Sequence, residues 1–252
     1  MKGLMMRTET IHLGETSSTS DFLRGMPTPA EGEMTVAEAD YQTAGRGMAT
    51  NKWESERDKN LLFSILTSPR TVDVRQQFIL SMAGALALKA TLDRLCGDIR
   101  LKWPNDIYWR DLKLSGTLIE TAVRGKTIER CIHGIGLNVN QRTFLSGAPN
   151  PVSLYNITGH ETRREELLES ILADFAIYYT RATDGDADGL TAEYNAALYR
   201  NDHLPHPYED CVTGEQFRAT IDRVGTDGLL RLTDTDGHRR AYSLKEVKHI
   251  ME

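Results

Sequence analysis

Three short stretches of the chain carry side chains that a plain fold would not need where they stand. The first, Tyr41-Gln-Thr-Ala-Gly-Arg-Gly47, runs on to Trp53. Glycines on both sides of an arginine let backbone N–H groups approach a ligand, and a guanidinium suits phosphate or carboxylate oxygens. An ordinary surface turn would have the same composition. The second is Lys102-Trp-Pro-Asn-Asp106, with Lys113-Leu-Ser-Gly116 close behind. A returning lysine offers a point charge to a carboxylate or phosphate, and Gly116 offers bare backbone. A hairpin with a solvated lysine is the plain alternative. The third is Gly134-Ile-Gly-Leu-Asn-Val-Asn140. Asparagine at a strand end can pair with adenine through two hydrogen bonds, while a β-bulge and turn would also use these residues. It is not a dinucleotide fingerprint, because it has no third glycine and no following helix.

Periodic segments place these stretches. Residues 7–13, 34–41 and the apolar run 60–67 read as strands, and Ser17 to Ser20 as a polar turn capping a helix from about Asp21. Residues 25–32 form a loop, and residues 42–52, small and polar, read as a mobile one. From Asp73 to Leu95 the spacing predicts a long helix, with an Asp73–Gln76 capping box and Gly97 as its stop. Residues 99–103, 115–123 and 127–134 read as strands, the first ending in a Pro-Asn-Asp turn. Thr162 to Glu165 reads as a second capping box opening a helix through Tyr179, and a shorter helix covers 189–199. Residues 201–208, with two prolines and two histidines, suit a linker better than a metal site. Close-set turn signals over 209–252 give about five short strands.

Composition narrows the classes. With 252 residues, 40% apolar and 26% charged, the chain can build a catalytic domain of ordinary size and a small appendage. A formal net charge of -6 gives no overall field that attracts nucleic acid. Cys96, Cys131 and Cys211 are scattered, as reduced cytosolic thiols would be. No run is apolar enough to span a bilayer, and the N-terminus lacks a secretory pattern. A cytoplasmic protein without membrane attachment is expected.

Taken in order, these stretches resemble the biotin protein ligase family. The resemblance lies at Ser18-Thr19, at Gln42 to Gly47 with Trp53, at Lys102 to Asp106, at Lys113-x-x-Gly116 and at Gly136-Leu-Asn-Val-Asn140. It covers roughly residues 8–250, and the Lys-Trp-Pro-Asn-Asp run is its most specific part. The resemblance implies an ATP-dependent enzyme that forms biotinyl-5'-AMP and passes biotin to one lysine of a biotin carboxyl carrier protein domain. It implies that Ser18, Thr19 and Gln42 bond the ureido head of biotin. Gly45 and Gly116 would line the biotin side of the cleft, and Gly47 and Gly136 the ATP side. Arg46 would meet carboxyl and phosphate groups, Trp53 would pack on the adenine side, and Asn138 would recognise adenine. Lys113 would bridge the biotin carboxylate and the α-phosphate. Asp106 would handle metal or the acceptor lysine. Mg2+ is expected with ATP, its ligands left open, as is a homodimer.

The implied fold is α+β. A mixed, largely antiparallel sheet with flanking helices, like the core of class II aminoacyl-tRNA synthetases, is expected over 1–203, and a small SH3-like β-barrel over 207–252. The sequence departs from some members at Met48-Ala49-Thr50-Asn51, where they carry further arginines and a glycine, and at Ser20, where many have asparagine. A lipoate protein ligase shares the chemistry, but no Arg-Arg-x-Ser-Gly-Gly-Gly run is present. A biotin-sensing repressor would need an N-terminal winged helix, for which Ser18 comes too early, so no nucleic-acid partner is expected.

Overall fold

The computed structural model describes residues 6–47, 53–145 and 150–251. Seven strands form one sheet: β1 (Arg7–Leu13), β2 (Glu33–Ala39), β3 (Leu61–Thr67), β4 (Ile99–Lys102), β5 (Asp106–Trp109), β6 (Leu112–Arg124) and β7 (Thr127–Leu137). Their spatial order is β1-β2-β3-β7-β6-β5-β4. Only β1 and β2 run parallel, and every other neighbouring pair is antiparallel. The sheet is therefore mixed and largely antiparallel, as expected.

Alternation along β7 divides its two faces. Cys131, Ile135 and Leu137 join the main apolar core, which also takes in residues of α2 (Phe78–Cys96), α4 (Arg164–Thr183) and α5 (Ala187–Ala196). Ile132 turns the other way, into a small cluster with Leu23, Ala37 and Leu66 under α1 (Thr19–Arg24). The face of α1 is thus shared with Gly134 and Gly136, and the strip beyond α1 is left for something else.

Several expected elements differ. The helix from Asp73 is a 3-10 turn over Val74–Gln76 followed by α2; Asp73 accepts from the Arg75 amide, and no reciprocal Gln76 bond forms. Gly97, at φ 62°, ends α2 as anticipated, because that backbone suits glycine. No box forms at Thr162, since α4 starts from Arg163 without a side-chain cap, while the Thr162 amide donates to Asn140 Oδ1 at 2.9 Å. The final helix spans 187–196 rather than 189–199. The strand β5 and the short α3 (Leu154–Thr158) are additional, and β6 and β7 are longer than expected. His206 already begins a strand, so the proposed linker is shorter.

Five more strands, β8 (His206–Asp210), β9 (Gln216–Val224), β10 (Leu230–Asp234), β11 (Arg239–Tyr242) and β12 (Val247–His249), form a second, antiparallel sheet in the order β11-β10-β9-β8-β12. Tyr208, Ala219, Ile221 and Leu232 belong to the same apolar cluster as α2 and β7, so the two sheets share one core. Trp103 Nε1 donates to the Gly228 carbonyl at 3.0 Å, and Asn195 binds the Val224 backbone through both amide atoms. The second sheet thereby braces the turn between β4 and β5. Among the described residues, no helix is long and apolar enough to cross a membrane.

One buried group sets an acid limit on this fold. His133 is fully buried, its Nε2 bonded to the Leu80 carbonyl at 3.0 Å. Burial pushes its imidazole down to about 4. The unfolded chain binds a proton near pH 6.5 that the folded chain refuses. The stabilisation is therefore complete above that value and is lost as pH falls from 6.5 toward 4. Moving from pH 8 to pH 5 should cost about 2 kcal/mol from this residue. His249, held down at about 3 chiefly by burial, acts in the same direction. Urea midpoints measured at the two pH values check this, with unchanged midpoints opposing it.

Candidate active site

One register row crosses the sheet and builds the floor of a cleft. Leu62 pairs with Gly136, Gly136 with Gly116, Gly116 with Asp106, and Asp106 with Lys102. Neighbouring strands lie about 4.8 Å apart, so this row runs bare at the two glycines and then charged toward the sheet edge. The cleft has a volume of about 550 Å3 and takes in residues of α1, Gln42, Arg46, Gly47, Trp53, Asn138 and the row from Gly136 to Lys102.

Its inner end is a nest of hydroxyls. Ser18 caps α1, accepting from the Asp21 amide, which brings Thr19 and Ser20 into the sheet. Thr19 donates to Gln42 Oε1 from its backbone N at 2.8 Å and from Oγ1 at 3.1 Å. Thr19 Oγ1 and Ser20 Oγ lie 2.7 and 2.9 Å from Ser64 Oγ. Ser64 is fully buried and faces Gly134 across the β3–β7 pair. A Cβ at residue 134 would collide with Ser20 Oγ. These short hydroxyls and an amide, converging in a buried space, suit a small neutral polar head with donors and acceptors on one edge.

The middle holds Trp53. Its indole lies on the glycine pair: a Cβ on Gly136 would collide with it, and one on Gly116 would come 3.2 Å from Cζ3. Trp53 Nε1 is buried without a partner among the described residues. The glycines are therefore covered by Trp53, and a ligand using that strip must shift the ring. The backbone fixes Trp53 through its N–H, 3.1 Å from the Gly45 carbonyl. Thr43 and Ala44 donate to Thr16 and Ser17 at 2.9 and 3.0 Å. The first half of the loop expected to be mobile is thus anchored, and Met48–Lys52 lie outside the described residues.

The outer end is charged. Lys113 Nζ sits 2.7 Å from Asp106 Oδ1 and 5.9 Å from the Trp53 ring centre. Backbone bonds on either side, Lys113 N to Asn150 O at 2.8 Å and Val152 N to Lys113 O at 2.9 Å, hold the lysine in place. Arg46 is drawn to the rim, 2.6 Å from Asp21 Oδ1 and 3.5 Å from Glu120 Oε1. Glu120 also binds Arg24. Arg46 and Lys113 thus rest on carboxylates that an incoming anion would have to replace.

Asn138 donates from Nδ2 to the Val152 carbonyl at 3.0 Å, while its Oδ1 is buried with no partner among the described residues. An orphaned acceptor in a cleft wall suits an amino group such as that of adenine. Asn140, by contrast, binds the Thr162 backbone through both amide atoms and is a strut.

Ser18, Thr19, Gln42, Arg46, Gly47, Trp53, Asp106, Lys113, Gly116, Gly136 and Asn138 all line this one cleft. Gly45 stands behind Trp53 and Gln42, its own Cβ position 3.3 Å from the Trp53 carbonyl. Sequence reasoning left Ser64, Gly134 and Lys102 without roles. Ser64 had a signal, a lone serine within an apolar strand.

Comparison with known proteins gives the following. A family model described as the Biotin/lipoate A/B protein ligase family matches residues 15–138. A biotin--[acetyl-CoA-carboxylase] ligase of Paracoccus denitrificans is 30% identical over 205 residues, 79% of this chain and 83% of that protein. The bifunctional ligase/repressor BirA of Bacillus spizizenii is 28% identical over 71% of this chain; the chain spans 56% of its length. It spans 51% of the corresponding Bacillus subtilis protein. Among solved structures, a biotin protein ligase from Aquifex aeolicus in complex with biotin and ATP superposes with a TM-score of 0.79 at 24% identity, over 96% of this chain and 99% of that one. One from Leishmania major in complex with biotinyl-5-AMP gives 0.66 at 20% identity, over 93% and 98%. At these identities the structural likeness carries the fold.

Proposed function

The chain belongs to the biotin protein ligase family, and on that premise we propose that it joins biotin to AMP and then to a lysine of a biotin carboxyl carrier protein domain. The observation that carries this reading is the cleft itself, which places a neutral hydroxyl nest at one end and two cations at the other. Biotin has that polarity, with a ureido head and a terminal carboxylate.

A carboxylate is a poor electrophile, because its charge repels a nucleophile and it has no good leaving group. Attack of its oxygen on the α-phosphorus of ATP releases pyrophosphate and leaves a mixed anhydride. Lys113 and Arg46 neutralise the two anions as they approach and stabilise the charge that develops between them. Asn138 Oδ1 accepts from the adenine amino group, and Trp53 moves from the glycine strip to pack on the base. Mg2+ arriving with ATP would screen phosphate charge. The cleft lining offers two carboxylates, Asp106 and Glu54, and these, together with the phosphates, would hold it. In the second step the carrier amine attacks the acyl carbon and AMP leaves. A free lysine of pKa about 10.4 is almost wholly protonated at neutral pH. Asp106, freed as Lys113 turns to the phosphate, is placed to take that proton.

The same reading treats residues 1–203 as the catalytic unit, akin to the class II aminoacyl-tRNA synthetase core, and 207–252 as an SH3-like domain. It places the protein in the cytoplasm without a nucleic-acid partner. The test is transfer: with ATP, Mg2+ and biotin, a carrier domain should gain one biotinyl group on its target lysine, and a carrier lacking that lysine should gain none. Equal labelling of both would contradict the reading.

Met48 and Asn51 stand where some members carry arginine, so the loop offers the adenylate less positive charge. Adenylate should escape and label bystander lysines. Mixing ATP and biotin with an unrelated lysine-rich protein checks this, and Met48→Arg should lower the background. Equal backgrounds would remove the charge argument.

A further inference from the structure

We infer that Lys102 is the seat of the departing pyrophosphate, receiving the β- and γ-phosphates of ATP at the sheet edge. The inference rests on the adenylating function proposed above and adds a residue to it.

The register row supplies the direction. From the hydroxyl nest at Ser64 and Gly134, the cleft floor passes Gly136 and Gly116, then Asp106, and ends at Lys102 on the outermost strand β4. Lys113 Nζ is on Asp106. If the biotin carboxylate and α-phosphorus meet at Lys113, the only part of ATP that continues along the row is the triphosphate tail. The next group on the row is Lys102.

The charge state fits. Lys102 lines the cleft, half-buried, with Nζ 2.9 Å from the Tyr108 hydroxyl and 4.6 Å from its ring centre. It makes no ion pair among the described residues, whereas the two other cations that line the cleft, Lys113 and Arg46, both do. The one carboxylate acting on it, Asp106, is committed to Lys113, and Lys113 and Arg200 add positive charge. A half-buried ammonium with a neutral partner is held at a cost that a bound polyanion would remove. Burial lowers its proton affinity, and bound phosphate would restore it. In the adenylation step a carboxylate oxygen forms a bond to the α-phosphorus. The bond to the bridging oxygen breaks, and that oxygen leaves with the electron pair as pyrophosphate. Lys102 balances the charge arriving on that leaving group.

Separating the two half-reactions tests this. Wild type, Lys102→Gln and Lys102→Arg are assayed for adenylate formation from biotin and ATP, and for its reversal from biotinyl-adenylate and pyrophosphate. Each is then assayed for transfer from supplied biotinyl-adenylate to the carrier domain. Lys102→Gln should lower formation and reversal about a hundredfold, as loss of a charge directed at a developing anion does. The KM for ATP and for pyrophosphate should rise, transfer should stay within about twofold, and Lys102→Arg should recover most of the loss. Unchanged formation and reversal in Lys102→Gln overturn the assignment, as does an equal fall in transfer, which would mark a base or a structural role. If wild type itself forms no adenylate, the proposed function fails, and this inference falls with it.

Discussion

Lys113→Ala is expected to slow adenylate formation about a hundredfold or more at saturating biotin and ATP. The side chain does two things in the cleft. It supplies the charge between two anions that must meet, and at 2.7 Å it neutralises Asp106. The alanine variant loses the first and leaves the second as a bare carboxylate beside the reacting phosphate. With Lys113 and Asp106 each only 28% and 20% exposed, solvent compensates poorly for either loss. Lys113→Arg keeps the charge but enlarges the head group, so it should fall between the two. Single-turnover formation of adenylate reads the effect directly, and an unchanged rate in Lys113→Ala would contradict the assigned role.

The second large effect is steric. Gly134→Val should raise the KM for biotin roughly tenfold to a hundredfold while leaving that for ATP nearly unchanged. A Cβ there would collide with Ser20 Oγ, which Ser64 holds at 2.9 Å. The added methyl groups then fill the hydroxyl nest. Overpacking of this size costs about 1–3 kcal/mol, and a tenfold change in affinity is about 1.4 kcal/mol. Equal changes for both substrates would mean that the sheet had moved as a whole. An unchanged biotin KM would place the head group elsewhere.

Much of this cleft could be read before folding, for physical reasons. A serine-threonine pair before a helix, glycines at strand ends and a lysine three positions ahead of a further glycine have few other uses, and their cleft residues converge. What could not be read depends on register and on long-range contact. The strand β5 is four residues long and follows a proline turn, too short for a periodic signal. Without it, nothing in the sequence aligns Lys102, Asp106, Gly116 and Gly136 in one row. The pairing of Lys113, which stands opposite Tyr108, with Asp106 depends on the same β5–β6 register, and so does the exposure of Lys102 to the cleft. Arg46 resting on Asp21 and Glu120 joins a loop to α1 and β6, contacts 25 and 74 residues apart. Trp53 covering the glycines is equally tertiary. The long helix from Asp73 was overdrawn because Asp73 does cap a turn, but a 3-10 one. Thr162 looked like a cap, and its backbone serves Asn140 instead.

Both half-reactions pass through one compound, the biotinyl-adenylate. The purified chain is therefore incubated with ATP, Mg2+ and either biotin or lipoate, without any carrier, and the products are separated by mass. The hydroxyl nest and the paired cations predict biotinyl-adenylate with an equal yield of pyrophosphate, and no lipoyl-adenylate. Lipoyl-adenylate in comparable yield, or no acyl-adenylate from biotin, would contradict the reading of the cleft.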